Sequence, residues 1–208
     1  MNKKIAIVTG GTSGIGKATA LALRGAGYTV YEFSRREAGV EGLHHIRADI
    51  TDETQVRAAV QQVMDAEGQI DVVVNNAGFG ISGAVEFTDT ADAQRLFNAD
   101  FFGMVRVNRA VIAHMRAAGR GRIVNLSSVA GPLPIPFQTY YSAAKAAVNA
   151  YTMALANELR PFGITVCAVQ PGDIHTGFTA ARGKTVTGDE VYGGRISRSV
   201  SRMEHDEQ

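Results

Sequence analysis

Tyr141 and Lys145 stand four residues apart in Tyr141-Ser142-Ala143-Ala144-Lys145, a stretch whose alanines favour a helix. Positions i and i+4 of a helix share one face, one turn apart, so phenol and ammonium would point the same way. An ammonium beside a phenol favours the phenolate and draws a tyrosine pKa down from its reference of about 10. A Tyr poised in this way can exchange a proton with a substrate oxygen. Taken alone, the spacing is more often a packed Tyr beside a solvated Lys. The elements around it have to decide.

The first of these is Ile5 to Thr9, a short apolar run that reads as a strand buried on both faces. Gly10-Gly11-Thr12-Ser13-Gly14-Ile15-Gly16 follows, and then an Ala/Leu-rich helix from Lys17 to Arg24. Strand, glycine turn and helix is the setting in which a backbone cradles phosphate at a helix N-terminus. The spacing Gly10, Gly14, Gly16 differs from the commoner G-x-G-x-x-G, and a tight turn without ligand is the competing reading. Tyr28 to Phe33 is a second strand, ending in Ser34-Arg35-Arg36 with no acid at that end. A carboxylate there would bind a ribose 2′-OH, whereas guanidinium groups can take a 2′-phosphate. The pattern therefore favours NADP(H) over NAD(H). Glu32 lies within the strand and is not expected to reach the ribose edge.

Leu43 to Ala48 reads as a third strand, followed by Asp49-Ile50, with Thr51 as N-cap of a helix from Asp52 to about Glu67. Ile70 to Val74 is a fourth, followed by Asn75-Asn76-Ala77-Gly78, where Asn either satisfies backbone groups between strand ends or simply marks a turn. From Asp89 to about Ala118 the pattern is helical, with a break expected near Asp100 to Gly103. Ile123 to Leu126 is a fifth strand and delivers Ser127 and Ser128. The Tyr141 helix runs to about Leu159, and Ile164 to Gln170 is a sixth strand, ended by Pro171-Gly172.

Strands alternating with helices predict an α/β fold: a Rossmann-type, doubly wound parallel sheet in three layers, with strand order 3-2-1-4-5-6. Ligands of such sheets bind beyond the carboxyl ends of the strands. The glycine loop, Ser34-Arg35, Asn75-Asn76, Ser128 and Pro171-Gly172 all fall there. Their convergence is the strongest sign that the Tyr-Lys pair belongs to a site.

At 208 residues and 45% hydrophobic content the chain reads as one domain, residues 1–208, able to build a full core. A net charge of +1 carries no footprint for nucleic acid or an anionic membrane. The lone cysteine, Cys167, is expected as a small buried hydrophobe, and it excludes an intrachain disulfide framework. Met1-Asn2-Lys3-Lys4 leads straight into the first strand, which suits a soluble cytoplasmic protein. No metal site is expected.

With these residues in order, the chain resembles the short-chain dehydrogenase/reductase family, and is ketoreductase-like. The resemblance rests on Thr9-Gly10-x-x-x-Gly14-Ile15-Gly16, Asn75-Asn76-Ala77-Gly78, Ser128, Tyr141-x-x-x-Lys145 and Pro171-Gly172 with Thr176. It implies that Tyr141 is the general acid/base, that Ser128 hydrogen-bonds the substrate oxygen, and that Lys145 binds the nicotinamide ribose. It further implies that Gly10, Ser13, Ile15 and Gly16 hold ribose and pyrophosphate, and that Asp49 and Ile50 flank the adenine. Asn76, Ala77 and Gly78 would line the cofactor, and Ile174 and Thr176 would contact its carboxamide. The reaction implied is hydride transfer between NADP(H) and a hydrophobic carbonyl or secondary alcohol, in a cleft bordered by Leu133, Ile135, Phe137 and Phe178. A homodimer or homotetramer through the long helices, about 101–118 and 142–159, is expected.

Two departures stand out. The family pattern Asn-x-x-Gly, aligned on Gly103, places Asp100 where a catalytic Asn is usual; Asn98 falls two residues early. A carboxylate there could divert the Lys145 ammonium from the phenol. The family also usually continues into a seventh, edge strand, for which the sequence leaves no room; a truncated piece or a missing edge strand are both compatible. These departures motivate an alternative function, a catalytically weak dinucleotide-binding sensor or scaffold.

Overall fold

The computed structural model describes residues 3–206, so Met1-Asn2 and Glu207-Gln208 lie outside the described residues. Six parallel strands form the main sheet in the order β3-β2-β1-β4-β6-β7. They are β1 (Lys4–Thr9), β2 (Tyr28–Ser34), β3 (His44–Arg47), β4 (Val72–Asn75), β6 (Gly121–Leu126) and β7 (Ile164–Val169). Two short strands, β5 (Ile81–Ser82) and β8 (Gly183–Lys184), make a separate parallel pair that the sequence did not announce. A two-residue strand has no alternation to read. Without that pair the order is the expected 3-2-1-4-5-6.

The strands are central because they are apolar on both faces. Ile5, Ile7, Phe33, Val73 and Ile123 pack on one side against helices α2 (Glu53–Glu67), α4 (Met104–Ala118) and α5 (Thr139–Leu159). Ala6, Val8, Val30, Val72 and Val74 pack on the other side against Ala20 and Leu23 of α1 (Gly14–Gly25). Burying each such branched or aromatic side chain is worth about 1.5–3 kcal/mol before conformational entropy is subtracted. The sheet is thus sandwiched between helices, with every strand's carboxyl end on one rim.

Local departures from expectation have local causes. Asp52, not Thr51, caps α2: its side chain accepts from Thr54 N and Gln55 N. Thr51 instead donates its hydroxyl and its N–H to Asp49 Oδ1. The long helical pattern from Asp89 divides into α3 (Thr90–Phe97), a π-helical turn (Asn98–Gly103) and α4, so the expected break is a π turn that sets Asp100 inward. Cys167 is exposed rather than buried. It alternates with Ile164 and Val166 on the outer strand β7, and among the described residues its face of that strand has no helix over it. A bounded apolar run does not show which face of an outer strand is covered. Beyond β7 the chain forms α6 (Phe178–Ala181), β8 and α7 (Arg195–Asp206), and Ile196 and Met203 of α7 are buried.

Candidate active site

The rim at the strand carboxyl ends carries the site. Tyr141 and Lys145, on the first turns of α5, are both buried, and Lys145 Nζ lies 5.5 Å from the centre of the Tyr141 ring. The helical spacing delivers them to one face, as expected. Lys145 Nζ also stands 3.1 Å from Asp100 Oδ2 and donates to the Leu126 carbonyl at 3.1 Å. Asp100 is fully enclosed; its Oδ1 accepts from Phe79 N at 2.9 Å. A Cβ on Gly78 would fall 2.8 Å from Asp100 Oδ2, so the Asn75-Asn76-Ala77-Gly78 turn needs a glycine where it crosses this carboxylate. Asn98 is elsewhere, held by Arg106 at 2.8 Å.

Burial opposes the charge on Lys145, but the Coulomb attraction of Asp100, aided by Tyr141, outweighs it and raises the Lys145 pKa above 10.5. Burial raises the Asp100 carboxyl above 3.8, against the pull of Lys145 and the Phe79 N–H. The ammonium is therefore kept charged in a place where water cannot solvate it.

Ser128 and Ser127 take different parts. Ser127 Oγ donates to the Lys145 carbonyl at 3.0 Å and is structural. Ser128, at the site edge of β6, accepts from Ala130 N at 3.1 Å, and its own hydroxyl proton is left to point elsewhere. Pro171 accepts from Val129 N at 3.0 Å, which ties the loop after β7 to the Ser128 turn. Tyr141 packs in an apolar cluster with Ile81, Leu96, Ile135 and Phe178, and the Arg182 guanidinium lies 6.0 Å from its ring centre. Of the residues expected to border the cleft, Ile135 and Phe178 pack against the Tyr141 cluster, Phe137 packs edge-on against Tyr192, and Leu133 points to solvent, 70% exposed.

The residues expected to hold the dinucleotide form a second group on the same rim. Asn76 donates its amide to the carbonyls of Thr9 (3.0 Å) and Gly10 (3.3 Å), while Thr9 Oγ1 accepts from the Asn76 and Ala77 N–H groups. The expected tie between strand ends is thus present. A Cβ on Gly16 would overlap the Gly10 carbonyl and the Asn76 amide. Ser13 caps α1 with no side-chain bond to the helix, and the first turn holds no acid, so the N-terminal N–H groups of Gly14, Ile15 and Gly16 stay open to an anion. Thr176 folds back until its Cβ is 3.4 Å from where a Cβ on Gly14 would be. Gly172 and Ile174 are exposed beside it.

At the far end Arg35, Arg47, Asp49 and Gln55 line a depression of about 480 Å³. Ser34 is half-buried; Arg35 and Arg36 are exposed. Ile50 is buried and packs where a Cβ on Gly103 would be 2.5 Å away, and so it braces the π turn. Arg47 was not foreseen, because a lone Arg in a predicted strand carries no signal until pairing sets it opposite Ser34. The buried amides Asn75, Asn108 and Asn125 were also not foreseen. Asn75 donates to Asn108 Oδ1 at 2.7 Å and Asn125 Oδ1 at 2.9 Å, joining β4, α4 and β6 behind the site.

The residues present fit a dinucleotide: an open helix N-terminus, glycines where backbone must approach closely, and, at the far end, a depression lined by Arg35, Arg47, Asp49 and Gln55, with Arg47 paired to Glu37. A doubly wound sheet with that rim defines a nucleotide-dependent oxidoreductase. The chain belongs to the short-chain dehydrogenase/reductase family, whose model, described as short chain dehydrogenase, matches residues 4–187. It is an NAD(P)-dependent dehydrogenase/reductase. A 3-ketodihydrosphingosine reductase of Bacteroides thetaiotaomicron is 43% identical over 213 aligned residues, covering 100% of this chain and 78% of the relative. Among solved structures, a short-chain dehydrogenase from Streptomyces avermitilis superposes with a TM-score of 0.90 at 33% identity, covering 100% of this chain and 78% of that one. A 3-ketoacyl-(acyl-carrier-protein) reductase from Brucella melitensis, complexed with NADH, gives a TM-score of 0.82 at 27% identity, covering 95% of this chain and 92% of that one. No helix among the described residues is long and apolar enough to cross a membrane.

Proposed function

We propose that the protein reduces a ketone on a long apolar substrate, with NADPH as the reductant and Tyr141 as the proton donor. The observation that carries this reading is the convergence of Tyr141, Lys145 and Ser128 on one rim beside an apolar wall. When bound, the nicotinamide supplies a hydride to the carbonyl carbon. Tyr141 gives its phenolic proton to the carbonyl oxygen, and the product is a secondary alcohol. The Ser128 hydroxyl donates a hydrogen bond to the same oxygen and orients it. Lys145, kept cationic, stabilises the phenolate that Tyr141 becomes and offers its one remaining N–H to the ribose. Asp100 holds Lys145 in place and competes with the phenolate for its charge.

The hydrophobic substrate is supported by Ile81, Leu96, Ile135 and Phe178 around the phenol, and by the sphingoid ketone in the relative's name. The preference for NADPH is supported by Arg35 and Arg36, exposed at the end of β2; Arg47 lines the same depression but is paired with Glu37 at 3.0 Å. A neighbouring structure holds NADH, so this preference rests on the chain's own arginines. We further read the chain as a single domain that pairs through its long helices, α4 and α5, in the cytoplasm. The experiment is a titration of the purified protein with NADPH and with NADH, followed by thermal unfolding. Stabilisation by NADPH well beyond that by NADH supports the reading; equal stabilisation removes the 2′-phosphate from it.

A further inference from the structure

Beneath the adenosine end lies a polar pair that the reaction does not use. Glu32 of β2 is fully buried and stands directly opposite His45 of β3 in the sheet register. Its Oε1 meets His45 Nδ1, and its Oε2 is buried with no hydrogen-bond partner among the described residues. The other ring nitrogen, His45 Nε2, lies 3.0 Å from the carbonyl oxygen of Arg36. Both neighbours of the imidazole are acceptors. A neutral ring has only one N–H, so each contact is a hydrogen bond only if the pair shares one further proton. That proton sits either on Nδ1, beside a carboxylate, or on Glu32. In both forms the pair is neutral and Nε2–H donates to Arg36. Glu32 therefore fixes which nitrogen serves the loop, as a carboxylate does for a metal-bound histidine.

The pair occupies a slot that the backbone has been thinned to admit. A Cβ on Gly11 of the glycine loop would stand 2.6 Å from Glu32 Cβ. A Cβ on Gly39 would stand 3.0 Å from Glu32 Oε1 and 2.9 Å from His45 Cγ. Glu32 and His45 thus lie against both the glycine loop and the segment that carries Arg35 and Arg36. A pair of apolar residues at these cross-strand positions would avoid burying the Glu32 carboxyl, at a cost of several kcal/mol; His45 is only partly buried. What an apolar pair could not do is grip the Arg36 carbonyl.

We propose that Glu32 and His45 are positioning residues for cofactor choice: by holding the Arg36 carbonyl they aim Arg35 and Arg36 at the 2′-phosphate of NADPH. This rests on the reading that those arginines take the phosphate. The pair acts through the loop and touches no reacting atom, so NADH, which lacks that phosphate, is indifferent to it.

Equilibrium binding of NADPH and NADH tests this without turnover. In Glu32→Gln the carboxamide can donate to Nδ1 and leave Nε2–H on Arg36, so the NADPH-to-NADH affinity ratio is expected to stay within about twofold of wild type. In Glu32→Leu/His45→Leu no buried charge is left unpaired, and NADPH affinity is expected to fall about tenfold or more while NADH affinity holds. Should the double variant lack a cooperative unfolding transition, His45→Asn, too short to reach Arg36, is read in the same way. An unchanged ratio in the variants that release Arg36, equal losses for both cofactors, or a Glu32→Gln loss as large as theirs overturns the proposal. Arg35→Ala and Arg36→Ala in the wild-type background separate the two ideas. If neither variant discriminates between cofactors, the phosphate reading falls and takes the proposal with it. If they discriminate and the pair variants do not, the proposal alone falls.

Discussion

Lys145 Nζ stands 3.1 Å from Asp100 Oδ2 while lying 5.5 Å from the centre of the Tyr141 ring. One buried ammonium thus serves a carboxylate and a phenol together. The carboxylate comes from a π turn between α3 and α4, and the phenol from the same helix as the lysine. In the proposed reaction its charge would be shared between Asp100 and the phenolate.

Asp100→Asn is expected to keep or raise turnover. An amide oxygen at this place can still accept from Phe79 N, and Lys145 is released toward Tyr141. Asp100→Ala loses both partners and strands a buried ammonium, at a cost of about 3–5 kcal/mol in stability. Chemical denaturation of the three proteins, with initial rates on the same samples, checks the pair of claims. A large fall in rate for Asp100→Asn would show that the carboxylate is required.

The same pair predicts a pH dependence. Burial raises the Asp100 carboxyl above 3.8, so its contribution to stability is present below that value and is lost as pH rises through the folded-state value. Lys145 is raised above 10.5 and keeps its charge in this window. The Tm of wild type relative to Asp100→Asn is therefore expected to fall as pH rises above about 4. A difference that widens in favour of wild type over that range contradicts the assignment.

Arg35→Ala is expected to weaken NADPH binding about tenfold or more and to leave NADH nearly unchanged, because a charge-assisted bond to phosphate is worth about 1.5–3 kcal/mol. Calorimetric titration of both cofactors reads this directly. Equal losses would remove Arg35 from the phosphate site.

Gly16→Ala is expected to abolish binding of both cofactors and to cost about 1–3 kcal/mol in stability, since the added methyl meets the Gly10 carbonyl and the Asn76 amide. Thermal unfolding with and without cofactor checks it. A variant that still binds either dinucleotide would show that the loop is not the cradle.

Much of the rim was legible in the sequence because chemistry and periodicity coincide there. Tyr141 and Lys145 share a helical face whatever surrounds them, and the strand-glycine-helix order at Gly10–Gly16 leaves few folds open. Asp100 was legible only through the family pattern; that it meets Lys145 depends on a π turn, which no local propensity announces. Arg47, the Asn75-Asn108-Asn125 network and the Glu32–His45 pair arise from strand register and long-range packing, which residue types alone do not encode. Cys167 was misread because an apolar run does not show which face of a strand is covered, although the expected order already put that strand outermost.

The most direct test follows NADPH absorbance while wild type and Tyr141→Phe are offered a series of long-chain ketones. Wild type is expected to oxidise NADPH with at least one of them. Tyr141→Phe, still binding NADPH, is expected to be slower by about a hundredfold or more, the usual contribution of a positioned proton donor. Turnover by Tyr141→Phe at the wild-type rate would contradict the role given to the phenol. NADPH binding by a wild type that reduces no ketone would point instead to a dinucleotide sensor built on a reductase fold.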